Sequence, residues 1–206
     1  MAQEPQFSHV TSKGNNVEDP DPAWLASVTG SDQWCRTCRS LKPSVAAIDV
    51  CLATEPDNVH MTSVWPPGVM VISSELLEII ARHGGQANLH VGAVYGPDGK
   101  GRESFSSIRG RHRVVIRGGA ESSMNTCSAC GTVAYSPAPP EQVVSGTLSC
   151  LDIAETQVGL LVPADIARSI KRQGLKGLYV RKLKIVEVPQ DGFEIADAVS
   201  VQGESP

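Results

Sequence analysis

Two windows of the chain carry apolar residues at helical spacing, and in each the helical pattern follows a short apolar run that reads as a strand. In "VMVISSELLEIIARHGG", residues 69–85, Ser73 or Ser74 is placed to cap a helix that turns Leu76, Leu77, Ile79 and Ile80 inward and stops at Gly84. "GLLVPADIARSIKRQGL", residues 159–175, repeats the plan: Pro163 opens the helix, Ile166 and Ile170 face inward, and Gly174 ends it. Laid together without gaps, Ile72, Glu75, Leu76, Ile80, Arg82 and Gly84 fall opposite Val162, Asp165, Ile166, Ile170, Arg172 and Gly174, an offset of 90 residues.

Extended segments follow both helices. "ANLHVGAVY" comes after the first and "LYVRKLKIVEV" after the second, where Leu178, Val180, Leu183, Ile185 and Val188 alternate with one slip, as in a strand carrying a bulge. "YGPDGKGRESF" reads as a hairpin loop around Pro97, Asp98 and Gly99, and "RHRVVIRGG" as a further strand. The layout is α+β, a mixed or antiparallel sheet with few helices.

This patterning fades toward both ends. Residues 1–33 are rich in Pro, Asp, Asn and Ser and are expected to be a mostly flexible acidic segment, with "PAWLASV" as a short docking turn; residues 189–206 are expected to be a flexible acidic tail. Between them lies a single domain, 34–188, and 206 residues are enough to bury a sizeable core without staples. No apolar run is long enough to cross a bilayer, and Met1 to Val10 has neither a basic start nor an apolar stretch, so a cytoplasmic protein with no membrane partner is expected.

Charge sharpens the division. The formal net charge of -4 is distributed as -4 over residues 1–33 and -5 over 187–206, which leaves +5 on the body. A mildly basic body between acidic ends argues against a dedicated nucleic-acid binder, whose domain should be strongly basic.

The candidate chemistry lies in the cysteines. "QWCRTCRSL" places Cys35 and Cys38 at C-x-x-C spacing, and "NTCSACGTVAY" places Cys127 and Cys130 at the same spacing, 92 residues further on. Two residues between ligands let the chain fold back and aim both sulfurs at one ion, and two such knuckles complete a tetrahedral four-cysteine shell. Cys35, Cys38, Cys127 and Cys130 are therefore the candidate ligands of one structural Zn2+ per chain, clipping distant segments together. Redox or disulfide chemistry and the absence of any shared role are the competing readings. A thioredoxin-like pair should open a helix after a strand, whereas Pro43 follows the first pair closely and "GTVAYSPAPP" follows the second. A residue with φ > 0 is expected after the second cysteine of a knuckle; Gly131 suits it and Arg39 does not. The near-equal offsets of helices and knuckles suggest an internal duplication, with two independent strand–helix units of similar caps as the alternative.

Cys51 and Cys150 sit in apolar contexts and read as buried core cysteines. His60, His83, His90 and His112 match no metal-ligand spacing, with His83 placed to complement a helix C-terminus. Gly96, Gly99 and Gly101 lack the strand-to-helix context of a phosphate cradle, and no G-x-S-x-G occurs. No catalytic constellation emerges, so no enzyme is expected and no catalytic residues are assigned.

The quoted segments "CRTCRSLKPSVAAIDV", "CSACG" and "GLLVPADIARSIKRQGLKGLYVRKLKIVEV" resemble the double-CXXCG motif proteins, a paralogous myxobacterial family that includes immunity proteins of the swarm-inhibition toxin system. The resemblance covers residues 34–188 and departs from the motif at Arg39, where the family has glycine. It implies that Cys35, Cys38, Cys127 and Cys130 occupy the motif positions and that the protein neutralises a cognate protein toxin in the cytoplasm. Two other classes stay open on the residues alone: a zinc-ribbon nucleic-acid-binding or regulatory protein, and a thiol redox protein.

Overall fold

The structure, a computed structural model, describes residues 7–12, 17–46, 48–56, 59–64, 68–114, 116–117, 123–136, 142–144, 153–156 and 159–186. In chain order the first half contains β1 (Phe7–Ser12), β2 (Val17–Glu18), α1 (Pro22–Thr29), β3 (Trp34–Cys35), β4 (Ser40–Leu41), β5 (Val50–Cys51), β6 (Met61–Val64), β7 (Val69–Ser73), α2 (Ser74–Arg82) and β8 (Leu89–Tyr95). The second contains β9 (Gly101–Gly110), β10 (Ile116–Arg117), β11 (Ser123–Thr126), β12 (Val133–Ser136), β13 (Gln142–Val144), β14 (Ala154–Glu155), β15 (Leu160–Pro163), α3 (Ala164–Gln173) and β16 (Leu178–Val186). The fold is α+β with mixed sheets and few helices.

The two predicted helices form as their caps dictate. Ser73 Oγ accepts the N–H of Leu76 at 3.2 Å at the start of α2, and Gly84 beyond its end takes φ 75°. Pro163 precedes α3, and Gly174 closes it at φ 67°, a left-handed conformation that costs a glycine little. The inward residues of both helices meet in one core. Leu76, Ile79 and Ile80 of α2 pack with Ile166, Ala167 and Ile170 of α3, and with Val10, Ile72, Ile108, Leu160 and Val162 from strands of two different sheets.

Those two six-stranded sheets repeat one plan. The first runs β2-β6-β7-β9-β8-β5; the second, read from its far edge, runs β14-β15-β1-β16-β13-β10. Matching β6 to β14, β7 to β15, β9 to β1, β8 to β16 and β5 to β13 gives identical orientations. The first three junctions are antiparallel, and the last, β8 with β5 and β16 with β13, is parallel. The register extends the match to residues. Ser73 pairs with Phe105 and Met70 with Ile108, while Pro163 pairs with Phe7 and Leu160 with Val10. "FSSI" at 105–108 therefore occupies in the first sheet the place that "FSHV" at 7–10 occupies in the second. Each half thus opens with a strand that enters the sheet of the other, a reciprocal exchange that interlocks the two repeats.

Within the stretch 1–33, expected to be mostly flexible, the described residues 7–12 and 17–33 are built into the fold. β1 is an interior strand, hydrogen-bonded on both sides, with Phe7 and Val10 both buried and directed to opposite faces. A strand buried on both faces shows no two-residue alternation, so its four-residue signal passes unnoticed in a polar context. "PAWLASV" is the helix α1: Asp21 Oδ1 accepts from the N–H groups of Ala23 and Trp24, and the Trp24 indole donates to the carbonyl of Asp49 at 2.8 Å. Trp24 and Val28 then join Trp34, Val50, Val69 and Val71 over the outer face of the first sheet.

The bulge expected in the last strand is absent from its paired stretch, where Leu178 to Leu183 run in continuous register with β1. Its slipped alternation arises because Val180 faces the shared core and Leu183 the opposite cluster. The register shift lies instead in the β8–β9 hairpin, between Ala93 and Tyr95. Of "RHRVVIRGG", Ile116–Arg117 is strand β10. Residues 189–206 and Cys150 lie outside the described residues.

Candidate metal centre

Each C-x-x-C pair begins in a strand or just after one and turns back through a tight loop. In the first, the N–H of Arg39 donates to the carbonyl of Cys35 at 2.8 Å, and β3 pairs with β4 through Trp34 with Leu41 and Cys35 with Ser40. In the second, the N–H of Gly131 donates to the carbonyl of Cys127, also at 2.8 Å, and the N–H of Cys127 to the carbonyl of Thr132 at 2.9 Å. β11 and β12 close that hairpin, with Thr126 opposite Val133. Gly131 takes φ 73° as expected. Arg39 takes the same conformation, φ 56°, and is the only non-glycine residue with positive φ among the described residues. The knuckle turn therefore imposes its geometry on arginine, at a cost of about 1–2 kcal/mol for a residue carrying a Cβ.

The fold brings the two knuckles together. The sulfurs of Cys35, Cys38, Cys127 and Cys130 all lie within 4.8 Å of one another. Cys35 Sγ is 3.9 Å from Cys127 Sγ, and Cys38 Sγ is 3.5 Å from Cys130 Sγ. A tetrahedral ion with metal–sulfur bonds of about 2.3 Å requires sulfur–sulfur edges of roughly 3.8 Å, so the four residues fit a closed Zn2+ shell. Cys35 is buried and the other three are half-buried. Each contributing half supplies two ligands from equivalent positions, which places the site at the junction of the repeats.

Their surroundings separate the thiols. The backbone N–H of Cys38 stabilises the Cys35 thiolate and lowers its pKa to about 6. Burial pushes Cys38 the other way, to about 12. Hydroxyls stand at equivalent positions beside the second cysteine of each knuckle: Ser40 Oγ donates to the Cys38 carbonyl at 3.4 Å, and Thr132 Oγ1 lies 3.1 Å from Cys130 Sγ. Cys51 is apart from this cluster, half-buried in β5, where burial and then Asp21 and Asp49 raise its pKa.

Two polar clusters escaped the sequence reading because their members are distant in the chain. Glu155 is buried between Arg109 and Arg113, whose guanidinium nitrogens lie 3.2 and 3.0 Å from its carboxylate, and it accepts the N–H of Gly110 at 2.7 Å. Burial pushes this carboxyl up against the pull of Arg109. The cluster joins β9 of the first sheet to β14 of the second. His83 also bridges the halves: its Nδ1 lies 3.0 Å from Asp165 Oδ2 and its Nε2 2.9 Å from Ser169 Oγ. Hydrolases use this order of groups, but Ser169 sits beyond the first turn of α3, where backbone N–H groups are committed to helical bonds and offer no oxyanion site. The arrangement holds α2 against α3. His60 is a separate contact, 2.9 Å from Ser73 Oγ beside the α2 cap.

Among the described residues no helix is long and apolar enough to cross a membrane. No protein-family model matches the chain, and no curated protein matches it.

Proposed function

We propose that this protein is a non-catalytic binding module held together by one structural zinc ion, and that it acts as an immunity protein which occupies a cognate protein toxin in the cytoplasm. The observation that carries the reading is the closed sulfur shell. Four thiolates fill every position of a tetrahedral ion and leave none open for water or substrate, the arrangement of structural rather than catalytic zinc. The ligands come from both repeats, so such an ion adds its binding free energy to the joining of the halves. The toxin rests on the resemblance of the two knuckles and the closing strand–helix–strand to the double-CXXCG proteins.

Two experiments test the two parts. Elemental analysis of the purified protein is expected to find about one zinc per chain and, for Cys127→Ser, markedly less together with a lower melting temperature. A metal-free wild type refutes the metal centre. Co-production with the protein encoded beside its gene, if that protein is toxic, is expected to give protection in proportion to dose and a stable complex. Protection by catalytic amounts refutes occupancy.

A further inference from the structure

Each cysteine of the cluster faces its counterpart from the other repeat. Cys35 and Cys127 hold equivalent places in the two knuckles, as do Cys38 and Cys130, and these pairs approach to 3.9 and 3.5 Å. The knuckle backbones are meanwhile fixed from within. The Arg39-to-Cys35 and Gly131-to-Cys127 turn bonds, the left-handed residues at 39 and 131, and the two small hairpins all hold each pair of sulfurs aimed outward at a shared point. Drawing the facing pairs from 3.9 and 3.5 Å to the disulfide distance of about 2.05 Å requires a closing movement of under about 2 Å across the junction. Three of the four cysteines are half-buried and so within reach of a small oxidant.

We infer that the cluster is a redox-sensitive clasp, in which a peroxide converts the four sulfurs into two disulfides across the repeats, Cys35 with Cys127 and Cys38 with Cys130. In each pair one thiolate attacks a peroxide oxygen, the O–O bond breaks, and a sulfenic acid forms as the departing oxygen leaves as water after taking up a proton. The facing sulfur then attacks the sulfenic sulfur, the S–S bond forms, and the hydroxyl leaves as a second water. Two thiols and one hydrogen peroxide give one disulfide and two waters, so the whole cluster consumes two peroxides. The lone pairs used are those a metal would share, so oxidation exchanges a metal clip for a covalent one, and the repeats stay joined in both states. The convergence of the four sulfurs underlies this inference as it does the proposed metal centre.

The test uses the full-length chain as purified, with its zinc content measured first, treated with hydrogen peroxide and digested with trypsin without reduction. Arg36 lies between Cys35 and Cys38, so trypsin separates them, whereas no Lys or Arg separates Cys127 from Cys130. The expected product is one peptide carrying Cys127 and Cys130 joined to both the Cys35 and the Cys38 peptides, with loss of four free thiols per chain. Cys130→Ser is expected to leave Cys35 still joined to Cys127. A Cys35 peptide joined to the Cys38 peptide, links between separate chains, or sulfinic acids without links would each overturn the inference. The metal reading fails separately. Cross-repeat links in a protein isolated without zinc refute the metal centre and support the clasp, while one zinc per chain with links inside each knuckle does the reverse.

Discussion

Truncating Phe7 to alanine tests the most consequential feature of the fold, the insertion of the N-terminal strand into the second sheet. Phe7 is 2% exposed and packs against Val114, Ile116, Ala154, Leu161 and Leu183. A buried Phe removes roughly 150–250 Å² from water, most of which alanine gives up, so the transfer loss alone is on the order of 3 kcal/mol. The cavity left in a sheet interior that cannot collapse brings the expected cost to about 3–5 kcal/mol. Against a total stability of roughly 10–15 kcal/mol that is a large fraction. In guanidinium titration, a chain of this size has a slope near 5 kcal/mol/M, so the midpoint should fall by about 0.5–1 M. Unfolding should be followed by far-UV circular dichroism and by tryptophan fluorescence, because Trp24 and Trp34 report on the cluster over the other sheet. The shared core built from both helices should make the two transitions move together. A midpoint within about 0.1 M of wild type, the range of a surface substitution, would refute the interior placement of β1.

Arg39→Gly should stabilise the protein by about 0.5–1 kcal/mol, the relief of left-handed strain less the backbone freedom glycine adds to the unfolded chain; Arg39→Ala should give no such gain, and equal melting temperatures for the two variants would contradict the strain argument. Glu155→Ala leaves Arg109 buried without its counter-charge and should cost about 3–5 kcal/mol by denaturant titration; a loss under about 1 kcal/mol would show that the cluster relaxes into water. Hydrogen bonds from the Arg102 guanidinium hold the Glu55 carboxyl below its ordinary value, and the N–H of Lys100, then Arg102, does the same for Asp98. Depressed carboxyl values contribute stability that is present above about pH 4 and lost as pH falls through the folded-state values. Arg102→Ala should therefore flatten this acid limb in melting curves taken across pH 2–6, most visibly at low salt, and parallel pH profiles for wild type and variant would rule the contribution out.

The chain by itself determined the parts whose signals are local. Helix periodicity with Ser73, Pro163, Gly84 and Gly174 as punctuation marked α2 and α3, because capping and left-handed closure depend on residues a few positions apart. The C-x-x-C spacing marked all four sulfurs for the same reason: a knuckle is a turn, and its geometry is set within five residues. Even the near-equal offsets of knuckles and helices pointed toward repetition. Only the tertiary structure decided how the repeats engage. "FSHV" and "FSSI" are alike, but nothing in four residues says that each strand enters the sheet of the other half, since that depends on which partners remain unfilled once β15 and β16, or β7 and β8, are laid down. The same holds for Glu155 between Arg109 and Arg113, and for His83 between Asp165 and Ser169, whose members are far apart in the chain and share no spacing rule. The convergence of the two knuckles to within 4.8 Å follows from that interlocking. Spacing names the ligands of a shell, but only long-range packing brings them to one point.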